Sequence, residues 1–123
     1  NRAGELLFLG QDGIPQDYAR AVQLFEQAHG QKNTWGNDML GTCYLFGYGC
    51  QRDPQRALML FQEVDYSSDL LNYGLGTIYT QGLGAPEDIK KGVEYLQKCK
   101  NYAPAQEALL KFKKNFFGKW VRR

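Results

Sequence analysis

Histidine, cysteine and paired carboxylates are the side chains that do most chemistry at neutral pH, and this sequence arranges few of them usefully. Its one histidine, His29, stands beside Gly30 with no serine or cysteine nucleophile motif nearby. At the end of a helical stretch, a histidine suits the negative pole of the helix dipole. Cys43, Cys50 and Cys99 are odd in number and scattered, which fits neither a zinc site nor a closed disulfide framework. Cys43 and Cys99 fall in helical periodicity, where a small buried hydrophobe is expected. The cysteine pattern points to a reducing, cytoplasmic compartment. Gly47-Tyr48-Gly49 and Gly82-Leu83-Gly84 have a phosphate-loop flavour, but they follow helical patterns and lack the third glycine and the Lys-Ser/Thr pair. They are turns. Glu87-Asp88 lies where acids cap a helix start. These residues predict a protein that is not an enzyme, with no cofactor, no metal and no small-molecule substrate.

Charge is the remaining chemistry. Residues 1–88 carry five Lys/Arg against eleven Asp/Glu, whereas residues 89–123 carry ten against two. The total of +2 conceals two opposed halves. The stretch KFKKNFFGKWVRR from Lys111 mixes six cations with four aromatics, a composition able to bind nucleic acid or an anionic membrane surface. The competing reading is an amphipathic capping helix with Leu109, Phe112 and Phe116 inward, ended by Gly118, with Trp120 folded back. The cap is the reading taken, and anionic-surface or nucleic-acid binding is the alternative.

The elements that must position these groups follow from periodicity. Aromatic residues number 17 in 123 and charge is moderate, which excludes a disordered chain. No apolar run approaches the ~18 residues of a membrane-spanning helix. The segment LGTCYLFGYGCQRD from Leu40 matches LGTIYTQGLGAPED from Leu75 at a shift of 35. A more degraded copy lies upstream at a shift of 36, with Phe8 for Tyr44, Gly13 for Gly49, Asp17 for Asp53 and Ala21 for Ala57. Asn1, Asn37 and Asn72 also align, and a ladder of hydrogen bonds to main chain of the preceding helix is expected for them.

Each unit reads as two helices. The first holds apolar or small residues at i, i+3, i+4 and i+7 and stops at the Gly-x-Gly turn, where glycine takes positive φ. The second starts at Asp17, Asp53 or Asp88, each a capping residue worth about 1 kcal/mol, and runs near 18–29, 54–65 or 89–100. First helices open at Thr34, Asp69 and Pro104. Gly41 and Gly76 lie on the packed side, where a missing Cβ lets the paired helix approach. No strand pattern competes, and no sheet is expected.

These residues resemble the Sel-one-like repeat (SLR) family, a relative of the tetratricopeptide repeat (TPR), in the order Leu-Gly-x-x-Tyr-x-x-Gly-x-Gly followed by Asp. The turn valine of that family is Ile14, Cys50 and Ala85 here, and Gly92 replaces a second-helix alanine. The resemblance implies an all-α fold: an α-solenoid of about three helix-turn-helix repeats that binds a protein or peptide. The expected organisation is a single domain, 1–123, with repeats about 1–33, 34–68 and 69–103. A capping helix and basic tail follow at 104–123, consistent with the polar face that a terminal repeat needs. Asn1 falls inside a first helix, so a longer parent array is expected. In TPR-like geometry the other side of each first helix lines the concave groove. Those places hold Trp35, Asp38, Thr42 and Leu45, then Leu70, Tyr73, Thr77 and Thr80. Arg2 and Leu6 precede them, and Ala108 and Phe112 follow. Aromatics, an acid and hydroxyls on one face suit a peptide; Trp35 and Tyr73 could also stack on a sugar.

Overall fold

A computed structural model of the chain describes residues 2–11, 13 and 15–123. Seven helices and a hairpin follow in order among them: α1 (Arg2–Leu9), α2 (Tyr18–Gly30), α3 (Asn37–Phe46), α4 (Pro54–Gln62), α5 (Asp69–Gln81), α6 (Ile89–Gln97), α7 (Ala103–Leu109), β1 (Phe112–Lys114) and β2 (Trp120–Arg122). The chain gathers into two compact units, residues 1–66 and 67–123. In the first, α1 packs on α2, α2 on α3 and α3 on α4. In the second, α6 packs on α5, α7 and β2.

The repeated aspartates act as pivots between paired helices. The Asp17, Asp53 and Asp88 carboxylates each accept the N–H three residues on, at 3.1 Å. Their own N–H groups donate back to Leu7, Tyr44 and Tyr79 carbonyls at 2.8 Å. One residue thus caps the second helix and ties it to the end of the first. At the turn, Gly47 and Gly82 are left-handed, with φ of 75° and 67°, and their N–H groups close the last turns on Cys43 and Ile78.

Close approach explains the first-helix glycines. A Cβ on Gly41 would stand 2.5 Å from Phe61 Cε1, and one on Gly76 would stand 2.7 Å from Leu96 Cδ2. Gly92, the exception among second-helix alanines, faces Gly76 directly: its Cβ would meet Thr80 N at 2.7 Å and Gly76 O at 2.9 Å. The α5–α6 pair is therefore glycine on glycine.

Three sequence expectations change. The upstream copy aligned at 36 sets Glu5 opposite Gly41, yet it is Gly4 that meets Phe25, with a Cβ distance of 2.7 Å. Leu7 likewise takes the turn contact that Tyr44 makes. The shift for α1 is therefore 37, and the turn before Asp17 holds one extra residue. Asn1 and Ile14 lie outside the described residues. Second, α3 opens at Asn37 after a left-handed Gly36, not at Thr34, because the Asn33 carboxamide accepts from Trp35 N–H and holds a turn there.

Third, the basic tail is not a helix. Helix α7 ends at Leu109, and residues 112–122 form an antiparallel hairpin pairing Phe112 with Arg122, Lys113 with Val121 and Lys114 with Trp120. Phe112 is buried as expected and Trp120 packs on the last core, against Val93, Leu96, Cys99 and Ala105. Phe116 is 96% exposed rather than inward, and Leu110, aligned with buried Leu40 and Leu75, is 71% exposed. The physical cause is the loop. Asn115 and Gly118 are turn formers, and the aromatic and β-branched residues on either side favour paired strands.

Candidate functional site

The eight residues selected for a binding face are divided between the two units. Trp35, Asp38, Thr42 and Leu45 lie in the first; Tyr73, Thr77, Thr80 and Phe112 lie in the second. The open-face expectation needs them at the surface, and six of the eight are buried: Asp38, Thr42, Leu45, Thr77, Thr80 and Phe112. Leu45 is fully buried. The threonine hydroxyls are committed to their own helices. Thr42 donates to Asp38 O at 2.7 Å, Thr77 to Tyr73 O at 2.8 Å and Thr80 to Gly76 O at 2.8 Å. Threonine one turn on from a carbonyl bonds it readily, and helical spacing alone does not disclose that use. The Arg2 side chain lies outside the described residues.

In the first unit, Trp35 is the exposed member, at 56%. Asp38 is held from below: Tyr66 O–H donates to its Oδ1 at 2.9 Å, and the Tyr66 ring lies 5.8 Å from that of Trp35. Burial first, and then the Asp38 charge, push the Tyr66 hydroxyl well above the ordinary tyrosine range. At the shift of 35 that aligns Asp38 with Tyr73, Asn101 stands opposite Tyr66, so strict periodicity did not reveal it. Nearby elements carry a second polar cluster. Arg56 donates to both Glu26 oxygens at 3.0 and 3.1 Å, and Tyr44 O–H donates to Glu26 Oε1 at 2.7 Å. His29 meets the Glu63 carboxylate at 3.1 Å, which adds a partner to its helix-terminal role.

The asparagines do not form the expected ladder. Asn72 Nδ2 donates to Ser67 Oγ at 3.0 Å, whereas Asn37 Nδ2, equally buried, makes no hydrogen bond. One period before Ser67 stands Lys32, which has no hydroxyl to accept.

The second unit gathers its four selected residues on one cavity. A space of about 480 Å³ is lined by Tyr73, Thr77 and Thr80 from α5, Leu96 from α6, Ala108 from α7, and Phe112. The hairpin and the residues on either side of it add Lys111, Arg122 and Arg123. Arg122 is braced: it donates to the Thr80 carbonyl and to Glu87 Oε2 at 3.1 Å. The Arg123 N–H donates to the Lys111 carbonyl at 2.8 Å, which holds these two cationic residues together at the backbone. The result is an apolar floor of Leu96, Ala108 and Phe112 with a cationic rim. Sequence reasoning found the α5 residues but missed the rim, because it placed Lys111 on a capping helix ended by Gly118 and left Arg122 and Arg123 in the tail beyond it.

Among the described residues no group of three or more His, Cys, Asp or Glu could hold a metal. No helix there is long and apolar enough to cross a membrane. All three cysteines are free thiols. Burial pushes the Cys43 thiol up to about 12 and, aided by the Asp69 charge, the Cys99 thiol up to about 11. Both are thus protonated, unreactive core residues.

Paired helices joined by an aspartate pivot, with glycines at each crossing, define an α-solenoid repeat protein. The sequence matches the Sel1 repeat over residues 1–28, 37–63 and 71–98, and the chain belongs to that family. Sel1 repeats are generally non-catalytic scaffolds for protein–protein interaction. Among solved structures, a protective antigen of uropathogenic Escherichia coli strains with an SLR fold aligns at 26% identity and a TM-score of 0.60, over 86% of this chain and 23% of that one. A Sel1 repeat protein from Oxalobacter formigenes aligns at 20% identity and a TM-score of 0.65, over 87% of this chain and 42% of that one. The chain thus spans less than half the length of either.

Proposed function

We propose that this chain binds a protein segment at the second-unit cavity, with an apolar side chain on the floor and acidic groups at the rim. The observation that carries this reading is the cavity itself, which combines the spacing-selected Tyr73, Thr77, Thr80 and Phe112 with Lys111, Arg122 and Arg123. An apolar floor holds a side chain by area, while a charged rim selects which segment approaches and how fast. Three free thiols support a reducing, cytoplasmic location as part of the same proposal.

The test is to select peptides from a random library on the full chain and map the tightest by backbone amide shifts. Acidic-apolar peptides should move Tyr73, Thr77, Leu96 and Lys111. Lys111→Glu should weaken them about tenfold or more, as loss and reversal of a rim charge does. Shifts confined to other surfaces would overturn the assignment of the site.

A further inference from the structure

The tip of the hairpin carries a second surface with a different chemistry. Phe116 and Phe117 are 96% and 81% exposed, the two most exposed large hydrophobics among the described residues, and they are adjacent. Their rings meet edge to face at 5.5 Å. They do not sit on a loose arm. Asn115 Oδ1 accepts from Phe117 N–H at 2.9 Å and from Lys119 N–H at 3.0 Å. Gly118 N–H donates to Asn115 O, Asn115 N–H donates to Lys119 O, and Gly118 supplies the left-handed φ of 77°. At the other end, buried Phe112 and half-buried Trp120 root both strands in the core of the second unit.

The turn needs Asn115 and Gly118; it does not need phenylalanine between them, where turn positions ordinarily carry polar residues or proline. Two apolar rings on a tied, rooted turn therefore have no work to do inside the fold. On the hairpin itself the charge is of one sign, and the acids Glu87 and Glu94 share a cavity with Lys114 and Lys119 beside it. Lys113, Lys114 and Lys119 are exposed, none pairs with a carboxylate among the described residues, and Lys114 Nζ lies 5.5 Å from the Trp120 ring.

We infer that this hairpin tip is a wedge for an anionic membrane surface: Phe116 and Phe117 enter the headgroup–acyl boundary while Lys113, Lys114 and Lys119 stay among anionic headgroups. Charge complementarity selects the occupant. An interfacial site combines apolar insertion with cations that remain in water, and each part strengthens the other. Single-stranded nucleic acid fits less well. Stacking needs ring faces presented to successive bases, and here the two rings stand at 90° to one another. A protein partner would need a matching apolar pocket with an acidic rim, and it is the second outcome that the test separates.

The test is co-sedimentation of the full chain with vesicles of phosphatidylcholine alone and of phosphatidylcholine with one-quarter phosphatidylserine. Binding should favour the anionic vesicles by about tenfold or more and fade as salt is raised. Phe116→Ser with Phe117→Ser should lower binding by about tenfold or more at unchanged salt dependence, and Lys113→Glu with Lys114→Glu should abolish the preference for phosphatidylserine. Phe116→Trp should shift its emission to the blue on vesicles. These side chains project into solvent, so the variants should keep the parent melting temperature, which is measured alongside. The wedge is overturned by equal affinity for neutral and anionic vesicles, by binding that survives the double serine variant, or by tighter binding to an oligothymidine than to the vesicles. Absence of vesicle binding also overturns it, and leaves the exposed rings to a protein partner.

Discussion

Replacing Gly92 with alanine tests the physical basis of the α5–α6 crossing. A new Cβ would stand 2.5 Å from Thr80 Cγ2, 2.7 Å from Thr80 N and 2.9 Å from Gly76 O. Two of those three atoms are backbone, so no rotamer change relieves them. To restore contacts near 3.5 Å, the two helices must part by roughly 0.8 Å, which loosens the packing of Val93 and Leu96. Overpacking of this kind costs about 1–3 kcal/mol, towards the upper end where backbone must move. Alanine regains about 1 kcal/mol of helix propensity. The net should be a loss of about 1–2 kcal/mol, or a fall in Tm of roughly 4–12 °C. Gly30→Ala is the control, since nothing lies within 4 Å of the added carbon; it should stabilise by up to about 1 kcal/mol. Urea titrations followed by circular dichroism compare the three proteins. A Gly92→Ala chain as stable as the parent would refute the close-approach argument.

Other expectations follow from the same geometry. Asp53→Ala removes the cap on Arg56 N–H and should cost about 1 kcal/mol by urea titration. Lys32 holds a left-handed φ of 62° after α2, with its N–H on His29 O and the next N–H on Ala28 O. Glycine is the residue for that place, and Lys32→Gly should raise stability by about 1 kcal/mol. The Cys43 and Cys99 thiols are raised in the folded chain, to about 12 and about 11. Above the ordinary thiol range the unfolded chain therefore releases protons that the folded chain keeps. Stability should fall as pH rises from there towards 11 and 12, by up to about 1.4 kcal/mol per pH unit for each thiol. Cys99→Ala should flatten that slope in melts between pH 9 and 11. In native protein at pH 8, a thiol reagent should label half-buried Cys50 well before the other two.

Local rules made much of this protein legible from its residues alone. The spacing of Leu, Gly and Tyr dictated the helices. Asp17, Asp53 and Asp88 marked the second-helix starts, because capping is a short-range bond between a side chain and N–H groups three residues away. Gly41 and Gly76 announced close crossings, since nothing else excuses glycine inside a helix. The misplacement of α1 by one residue came from the same locality: an extra residue in a turn leaves no trace in composition. Tertiary structure decided everything that depends on which distant group arrives. Tyr66 reaches Asp38 across 28 residues, and Arg122 reaches the Thr80 carbonyl across 42. The threonines aligned for a groove were turned inward, where burial left their hydroxyls only their own helix carbonyls as partners. The last segment shows the limit most plainly. Its aromatics and lysines fit an amphipathic helix or a hairpin equally well by composition. A turn built on Asn115 and Gly118, together with a place for Phe112 and Trp120 on the core of α6 and α7, settled the choice. That choice put Lys111, Arg122 and Arg123 on the rim of one cavity and two phenylalanines on a tip in water.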